Sequence, residues 1–331
     1  MNLQPGSREQ PERESRGEHP QSYRLALAGG MAWSLVPTPA AEPWVGKLAR
    51  TMGLRPSHRV ASPRLLYCRG DLAFSRGRIS GEGGIPDCWE NLPAMGWRQE
   101  REGVFMTWHH PGTKDVILDL GDDSDEVLRG IPLGSALLPV YRRLIAGGGL
   151  LLHAALVEYR GCGCLLAASG GRGKSTCARR LPPPWRMASD DAALLVPTGN
   201  GYRVHPFPTW SELLHTSSPI SWKVEEHFPV SAVFFLEQSP CRDQAVPLGQ
   251  AQGTVSLYHS AAEAYGIPAV RSKPRWQHRE LSAGIFRNAG HIARTVPCLL
   301  LKVRRDGTFW EEMERVLRGD AGFPGDRKRY D

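Results

Sequence analysis

Between Tyr23 and Leu317, short apolar runs alternate with polar breaks rich in glycine and proline, and their periods predict a mixture of strands and helices. Tyr23 to Leu27 and Met31 to Val36 read as short strands flanking Gly29-Gly30. Trp44 to Met52 has helical spacing. Leu65 to Cys68, Val104 to Trp108 and Val116 to Leu120 read as further strands. Ala136 to Ala146 predicts a helix stopped by Gly147-Gly148-Gly149. Leu150 to Glu158 and Cys162 to Ala168 are two apolar strand-like runs, with Arg160-Gly161 between them as a hairpin turn. Ala178 to Leu181 can begin a helix, which Pro182-Pro183-Pro184 ends. Met187 to Val196 predicts one strand, turning at Thr198-Gly199-Asn200-Gly201. Val230 to Leu236 is almost wholly apolar, as a strand buried on both faces would be. Leu281, Ile285, Ala289 and Ile292 mark one helix face, Leu299 to Val303 a last strand and Phe309 to Leu317 a last helix.

This order predicts an α/β fold. The larger unit spans residues 133–320. A smaller N-terminal α/β or α+β unit spans 22–132 and carries no motif of nameable chemistry. Residues 1–21 are too polar to build a core and read as a disordered tail, with a second polar tail at 321–331.

Composition narrows the class. The 331 residues are 41% hydrophobic, enough for a sizeable core, and no apolar run approaches the roughly 18 residues of a membrane helix. The N-terminus lacks an apolar signal core, and the seven cysteines are scattered, so reduced thiols in a cytoplasm are the expectation. Cys162 and Cys164 share a strand face without a second ligand pair at metal spacing, which predicts buried apolar thiols. The net charge of +7 comes from dispersed basic residues, densest at Arg327-Lys328-Arg329, with no nucleic-acid motif. Attraction of a nucleotide or an acidic peptide accounts for that charge equally well.

The chemistry concentrates in one segment. The apolar run Cys162 to Ala168 leads into Ser169-Gly170-Gly171-Arg172-Gly173-Lys174-Ser175-Thr176, followed by helix-forming residues. Strand, glycine-rich loop and helix in this order are the context of a phosphate-binding P-loop. Glycines let backbone N–H groups converge on one anion, and the helix N-terminus adds partial positive charge. Lys174 would reach the β- and γ-phosphates, and the Ser175 hydroxyl would bind Mg²⁺. The strict motif has glycine where this chain has Ala168. Arg172 either touches phosphate or faces solvent.

Two further residue types belong with such a loop. Asp190-Asp191 follows the loop's helix, where a Walker-B-type carboxylate would hold Mg²⁺ and its neighbour could take a proton from a hydroxyl. The alternative is a solvated turn or helix cap, which is costly beside Ala192 to Val196 unless a cation pairs with the acids. His153 sits inside the run Leu150 to Val157 and is either a hydrogen-bonded core residue or a reacting group.

The segment Leu152 to Ser175 resembles, without a gap, the nucleotide-binding segment of the HPr kinase/phosphorylase family. That resemblance implies a C-terminal P-loop domain of the HPr kinase/PEP carboxykinase-like type, with ATP and Mg²⁺ bound. It implies His153 as a catalytic histidine, Lys174 as the phosphate lysine, Ser175 as a metal ligand and Asp191 as the base, with Asp190 beside it. The spacing from His153 to Lys174 is the family's. The Asp pair follows Lys174 about one residue early, as a deletion near Pro182 to Trp185 would produce. A metal-binding Glu is expected further on, and Glu212 is the candidate. The glycine-rich signature with which the true enzymes engage HPr is missing. The elements Leu181 to Trp185, Ser189-Asp190-Asp191, His205 to Pro208 and Phe235 to Gln238 are similar to a divergent branch, the SynChlorMet cassette protein ScmC, encoded beside radical-enzyme peptide-modification systems.

The expectation is therefore an ATP-dependent kinase acting on a Ser/Thr hydroxyl of a peptide or small protein. A small-molecule phosphotransferase and a non-catalytic nucleotide-binding scaffold are the alternatives. Nucleic acid and membrane are not expected partners, and the family resemblance suggests a homo-oligomer. Trp185, Trp210, Trp222 and Trp276 would either line a peptide groove or pack at core edges.

Overall fold

The computed structural model describes residues 20–70, 73–75, 78–80, 89, 91–102, 105–121, 134–208, 221–266 and 275–319. Candidate Glu212, Trp210 and nearly all of both tails lie outside them. The described chain is a mixed α/β molecule with two multi-stranded sheets and six α-helices. No described helix is long and apolar enough to cross a membrane.

The first sheet runs β1 (Tyr23–Ala26), β2 (Ala32–Pro37), β3 (Arg64–Cys68), β8 (Val116–Asp119), β7 (Phe105–His109), β6 (Arg98–Glu102). β2, β3 and β8 are parallel and the other pairs antiparallel. Strands β4 (Ala73–Ser75) and β5 (Arg78–Ser80) form a separate hairpin. Helix α1 (Glu42–Met52) packs Trp44, Val45, Leu48 and Met52 against Leu25, Leu35, Leu65 and Leu118. Alternate residues of the same strands, Val36, Leu66 and Ile117, meet Trp89, Trp97 and Trp108 on the far face. That is the period-two burial of a sheet covered on both sides.

The second sheet has nine strands. Its path is β12 (Arg186–Ser189), β10 (Ala154–Tyr159), β11 (Cys162–Ala167), β15 (Phe228–Gln238), β14 (Gly201–Phe207), β13 (Ala192–Thr198), β9 (Leu150–Leu152), with β17 (Cys298–Val303) and β16 (Gln244–Pro247) attached through β15. β11, β15 and β17 run parallel, so their carboxyl ends share one edge. The Arg160-Gly161 turn has both residues in the left-handed region (φ 50° and 86°), the conformation a two-residue hairpin requires.

Helices cover both faces. Helix α3 (Lys174–Arg180) and helix α6 (Phe309–Leu317) bury Cys177, Ala178, Phe309 and Met313 on Ala155, Val157, Cys164, Leu166 and Phe234. Helix α4 (Gln250–Ala264) and helix α5 (Arg275–Thr295) bury Leu257, Ala261, Ile285, Ala289 and Ile292 on the alternate residues Ala154, Leu156, Leu165 and Val233. Helix α2 (Leu138–Ala146) joins the two sheets: Val140, Tyr141 and Leu144 pack with both Leu25 and Leu151.

Several expectations need correction. The run Leu150 to Glu158 is two strands that part at His153, whose backbone N–H instead donates to the Ser260 carbonyl (3.2 Å). Met187 to Val196 likewise breaks into two strands at Asp190-Asp191. Helix α3 begins at Lys174, four residues before Ala178. Strand β14 and helix α4 went unread in the sequence because Pro206 and the small residues of Gln250 to Ala264 blur both periods.

Candidate functional site

Each chemistry-bearing side chain is placed by an interruption in regular structure. β11 ends at Ala167, and residues 168–173 turn away from the sheet before α3 starts. Gly171 (φ 74°) and Gly173 (φ 95°) are left-handed, and no atom lies within 4 Å of where a Cβ would stand on either. The loop thus presents bare backbone to solvent, a conformation L-residues with side chains resist. Ser169, Gly170, Gly171 and Arg172 are exposed, Gly173 and Ser175 are half-buried, and Thr176 is exposed on the first turn of α3.

Lys174, by contrast, is buried, with 4% of its side chain exposed. Its Nζ donates to the Ala168 carbonyl at 2.8 Å and lies 2.7 Å from His153 Nε2 and 3.5 Å from Asp191 Oδ1. Satisfaction by three neighbours is what allows an ammonium to sit there. His153 is where the β9–β10 break leaves it, with Nδ1 3.3 Å from Asp191 Oδ1. With Lys174 as ammonium, Nε2 accepts, so the ring hydrogen belongs on Nδ1, the nitrogen on the Asp191 side. The Asp pair divides: Asp190 is buried at 7% exposure, while Asp191, half-exposed, turns toward Lys174 and His153.

The structure therefore brings together His153, Lys174 and Asp191 at the loop. Ser175 and Thr176 follow on α3, and Asp190 is buried. It also adds a residue that the sequence did not reveal. Glu263, near the end of α4, accepts a hydrogen bond from the Gly170 N–H (3.0 Å) and lies 3.4 Å from His153 Nε2. Ser260, one turn earlier, donates its hydroxyl to the His153 carbonyl at 3.2 Å. No local motif marks either residue; only the packing of α4 on the sheet brings them to the loop.

Beside the loop lies a cavity of about 660 Å³, lined by Gly171 to Gly173, Thr176, Cys177 and Arg180, and by the carboxyl ends of β15 and β17 with Arg304 and Arg305. Its lining does not include His153, Lys174, Asp191 or Glu263. The carboxyl ends of parallel strands are where α/β sheets take ligands, and that rule would have pointed to Arg305, two residues beyond the predicted strand Leu299 to Val303. Arg180 is held over Phe309 and donates to the Arg304 and Gly307 carbonyls (3.1 and 2.6 Å).

Of the four tryptophans, the two with described side chains pack in the core. Trp185 is buried with α3 and α6, and Trp222 is buried with α1. The side chain of Trp276 lies outside the described residues. Cys164 is fully buried, and burial pushes its thiol far above the ordinary range. Among the described residues no three His, Cys, Asp or Glu side chains are grouped to hold a metal on protein ligands alone.

The family model for the SynChlorMet cassette protein ScmC matches residues 116–318, more than half of the chain. The chain belongs to the ScmC family. The matched stretch begins with β8 and ends just past α6, so the whole ScmC match contains the loop, the three converging side chains, Glu263 and the cavity. No curated protein matches the chain.

Proposed function

We propose that this ScmC-family chain is an ATP-dependent phosphotransferase of the HPr-kinase-like group, moving the γ-phosphoryl of ATP to a serine or threonine hydroxyl of a peptide or small protein. The observation that supports it most is the convergence of Lys174, His153 and Asp191 on a glycine-rich loop that opens a helix. Binding alone would not need a carboxylate and an imidazole aligned beside the lysine.

The residues fit the ligands. Bare backbone at Gly171 and Gly173, with the start of α3 behind it, suits phosphate. The cavity beside it suits the nucleoside half, with Arg172, Arg180, Arg304 and Arg305 supplying positive charge. For Mg²⁺, the hydroxyl of Ser175 and the carboxylate of Asp190 are hard oxygen donors, and one or two protein ligands suffice when phosphate and water complete the shell. When bound, the ion would neutralise charge on the β- and γ-oxygens.

In the reaction, the acceptor oxygen forms a bond to the γ-phosphorus while the bond to the β,γ-bridging oxygen breaks, leaving ADP. The hydroxyl proton passes to Asp191. His153, whose Nδ1 lies 3.3 Å from that carboxylate, fixes its orientation. Lys174 exchanges its contacts with Ala168 and His153 for the transferring phosphoryl oxygens. Such catalysis is chiefly positioning and electrostatics.

The test is transfer of labelled γ-phosphate from ATP to peptides encoded beside the gene. Asp191→Asn is expected to keep nucleotide binding and lose transfer by at least ~10²-fold, as for a positioned base. Lys174→Ala is expected to lose both. Near-normal transfer by Asp191→Asn would remove Asp191 from the role of base. The arginine-lined cavity favours one second reading, an anionic metabolite as acceptor, for which label would appear on the metabolite and on no peptide.

A further inference from the structure

We propose that Glu263 is a phosphate-mimicking residue of this site: its carboxylate holds the anion position of the glycine-rich loop and must leave before a phosphoryl group can enter. This rests on the phosphotransferase reading above and assigns a role to a residue that neither the loop motif nor the family resemblance includes.

Three observations carry it. First, Glu263 Oε1 accepts the Gly170 N–H at 3.0 Å, so an oxyanion already occupies a backbone donor of the loop. A carboxylate oxygen and a phosphate oxygen make the same charge-assisted contact to an amide. Second, Glu263 is the penultimate residue of α4, where the helix's own carbonyls carry partial negative charge and disfavour an acid. The Gly170 amide, with the Lys174 ammonium on the other side of the His153 ring nitrogen, supplies the compensation. Third, the side chain is 41% exposed, so it can swing into water without breaking core packing. The same network ties down Lys174, whose Nζ meets Ala168, His153 and Asp191. Asp191 lies 3.5 Å from the Lys174 ammonium and Glu263 3.4 Å from His153 Nε2, and an incoming polyphosphate would add negative charge beside both carboxylates. Release of Glu263 from the loop removes that conflict and uncovers the Gly170 amide.

Glu263 is thus a specificity-setting residue. It opposes weakly charged or poorly placed anions and yields to one that offers several oxygens to the loop at once.

The experiment is calorimetric titration of the full chain with ATP and with pyrophosphate, each with Mg²⁺, at low and high salt. Glu263→Ala and the isosteric Glu263→Gln are expected to bind both ligands more tightly, by roughly 10-fold at low salt, the order of one charge-assisted hydrogen bond and one like-charge contact. The gain should shrink at high salt, because displacement of a charge is screened. Unchanged melting of both ligand-free variants would separate this from a merely structural role. Affinity unchanged within about twofold, or weakened, in both variants while the native chain binds would overturn the proposal and leave the phosphotransferase reading standing. If neither the native chain nor the variants bind either ligand, the phosphate-binding reading falls first, and the role of Glu263 with it.

Discussion

His205 shows what a buried histidine does when it is structural. It is fully buried on β14, its Nδ1 donates to the Val224 carbonyl at 2.8 Å, and its Nε2 accepts the Ala28 N–H at 3.1 Å. Burial above all, with the His227 ring and Arg203 nearby, lowers its pKa from 6.5 to about 4, against the opposing pull of the Val224 bond. The sign follows. The folded chain keeps His205 neutral, so its contribution is fully present above pH 6.5. It is lost as pH falls from there toward about 4, because the unfolded chain takes up the proton first. Denaturant unfolding between pH 7 and pH 4.5 is expected to show a slope of up to ~1.4 kcal/mol per pH unit from this residue. His205→Gln should remove one proton from that dependence. An unchanged slope would mean the imidazole is not the group that titrates. His153 contrasts with it: half-buried, hydrogen-bonded to a lysine and 3.3 Å from a carboxylate instead of bonded to two backbone groups. The sequence alone left both readings open for such residues, because an apolar run says that a side chain is enclosed but not by what.

At the scale of elements, the loop between β11 and α3 depends on its backbone more than on its side chains. Gly173 caps α3 with φ 95°, and a Cβ there would meet nothing within 4 Å. Gly173→Ala is therefore expected to cost only the left-handed strain of an L-residue, about 1–2 kcal/mol, measured by unfolding. Nucleotide affinity should fall further than stability does, since relief of that strain re-aims the amides at the start of the helix. Equal loss of both would show that the loop's conformation serves the fold alone. The loop, hairpin and helix were legible here because glycine spacing and alternation are local signals. The breaks at His153 and at Asp190-Asp191 were not. Each sits inside an apolar run; at His153 the backbone N–H turns to the Ser260 carbonyl on α4, and across Asp190-Asp191 the Ser189 hydroxyl donates to the Ala192 carbonyl.

At the scale of the molecule, the two sheets are not energetically separate. One apolar cluster contains Leu25, Leu35 and Leu65 from the first and Leu151, Leu194, Val196 and Phe207 from the second. Polar contacts cross the same boundary: Ala26 N–H to Glu225 Oε1 (2.9 Å), Tyr67 hydroxyl to the Ala136 carbonyl (3.2 Å), and the Arg142–Glu100 ion pair (2.9 Å). Residues 134–331 produced alone would expose the second sheet's share of that cluster. They are expected to melt at lower temperature and less cooperatively than the full chain, or to aggregate, as followed by calorimetry and light scattering. Identical melting of the fragment would show that the shared cluster contributes little.

By itself the sequence determined the α/β class, most strands and helices, and the glycine-rich loop ending in Lys174, which follow from period, turn chemistry and residue type, properties of neighbours along the chain. His153 and Asp191 were singled out as its companions by the resemblance to the HPr kinase/phosphorylase family. Only the tertiary structure decided that Asp191 faces the lysine while Asp190 turns inward, that Glu263 reaches Gly170, and that four arginines gather around one cavity. Those relations join residues up to 133 positions apart, from Arg172 to Arg305, and they exist because parallel β11, β15 and β17 end at one edge and α4 packs against β9 and β10. Burial of apolar faces sets that arrangement, and the polar side chains at the edge are carried into place with it.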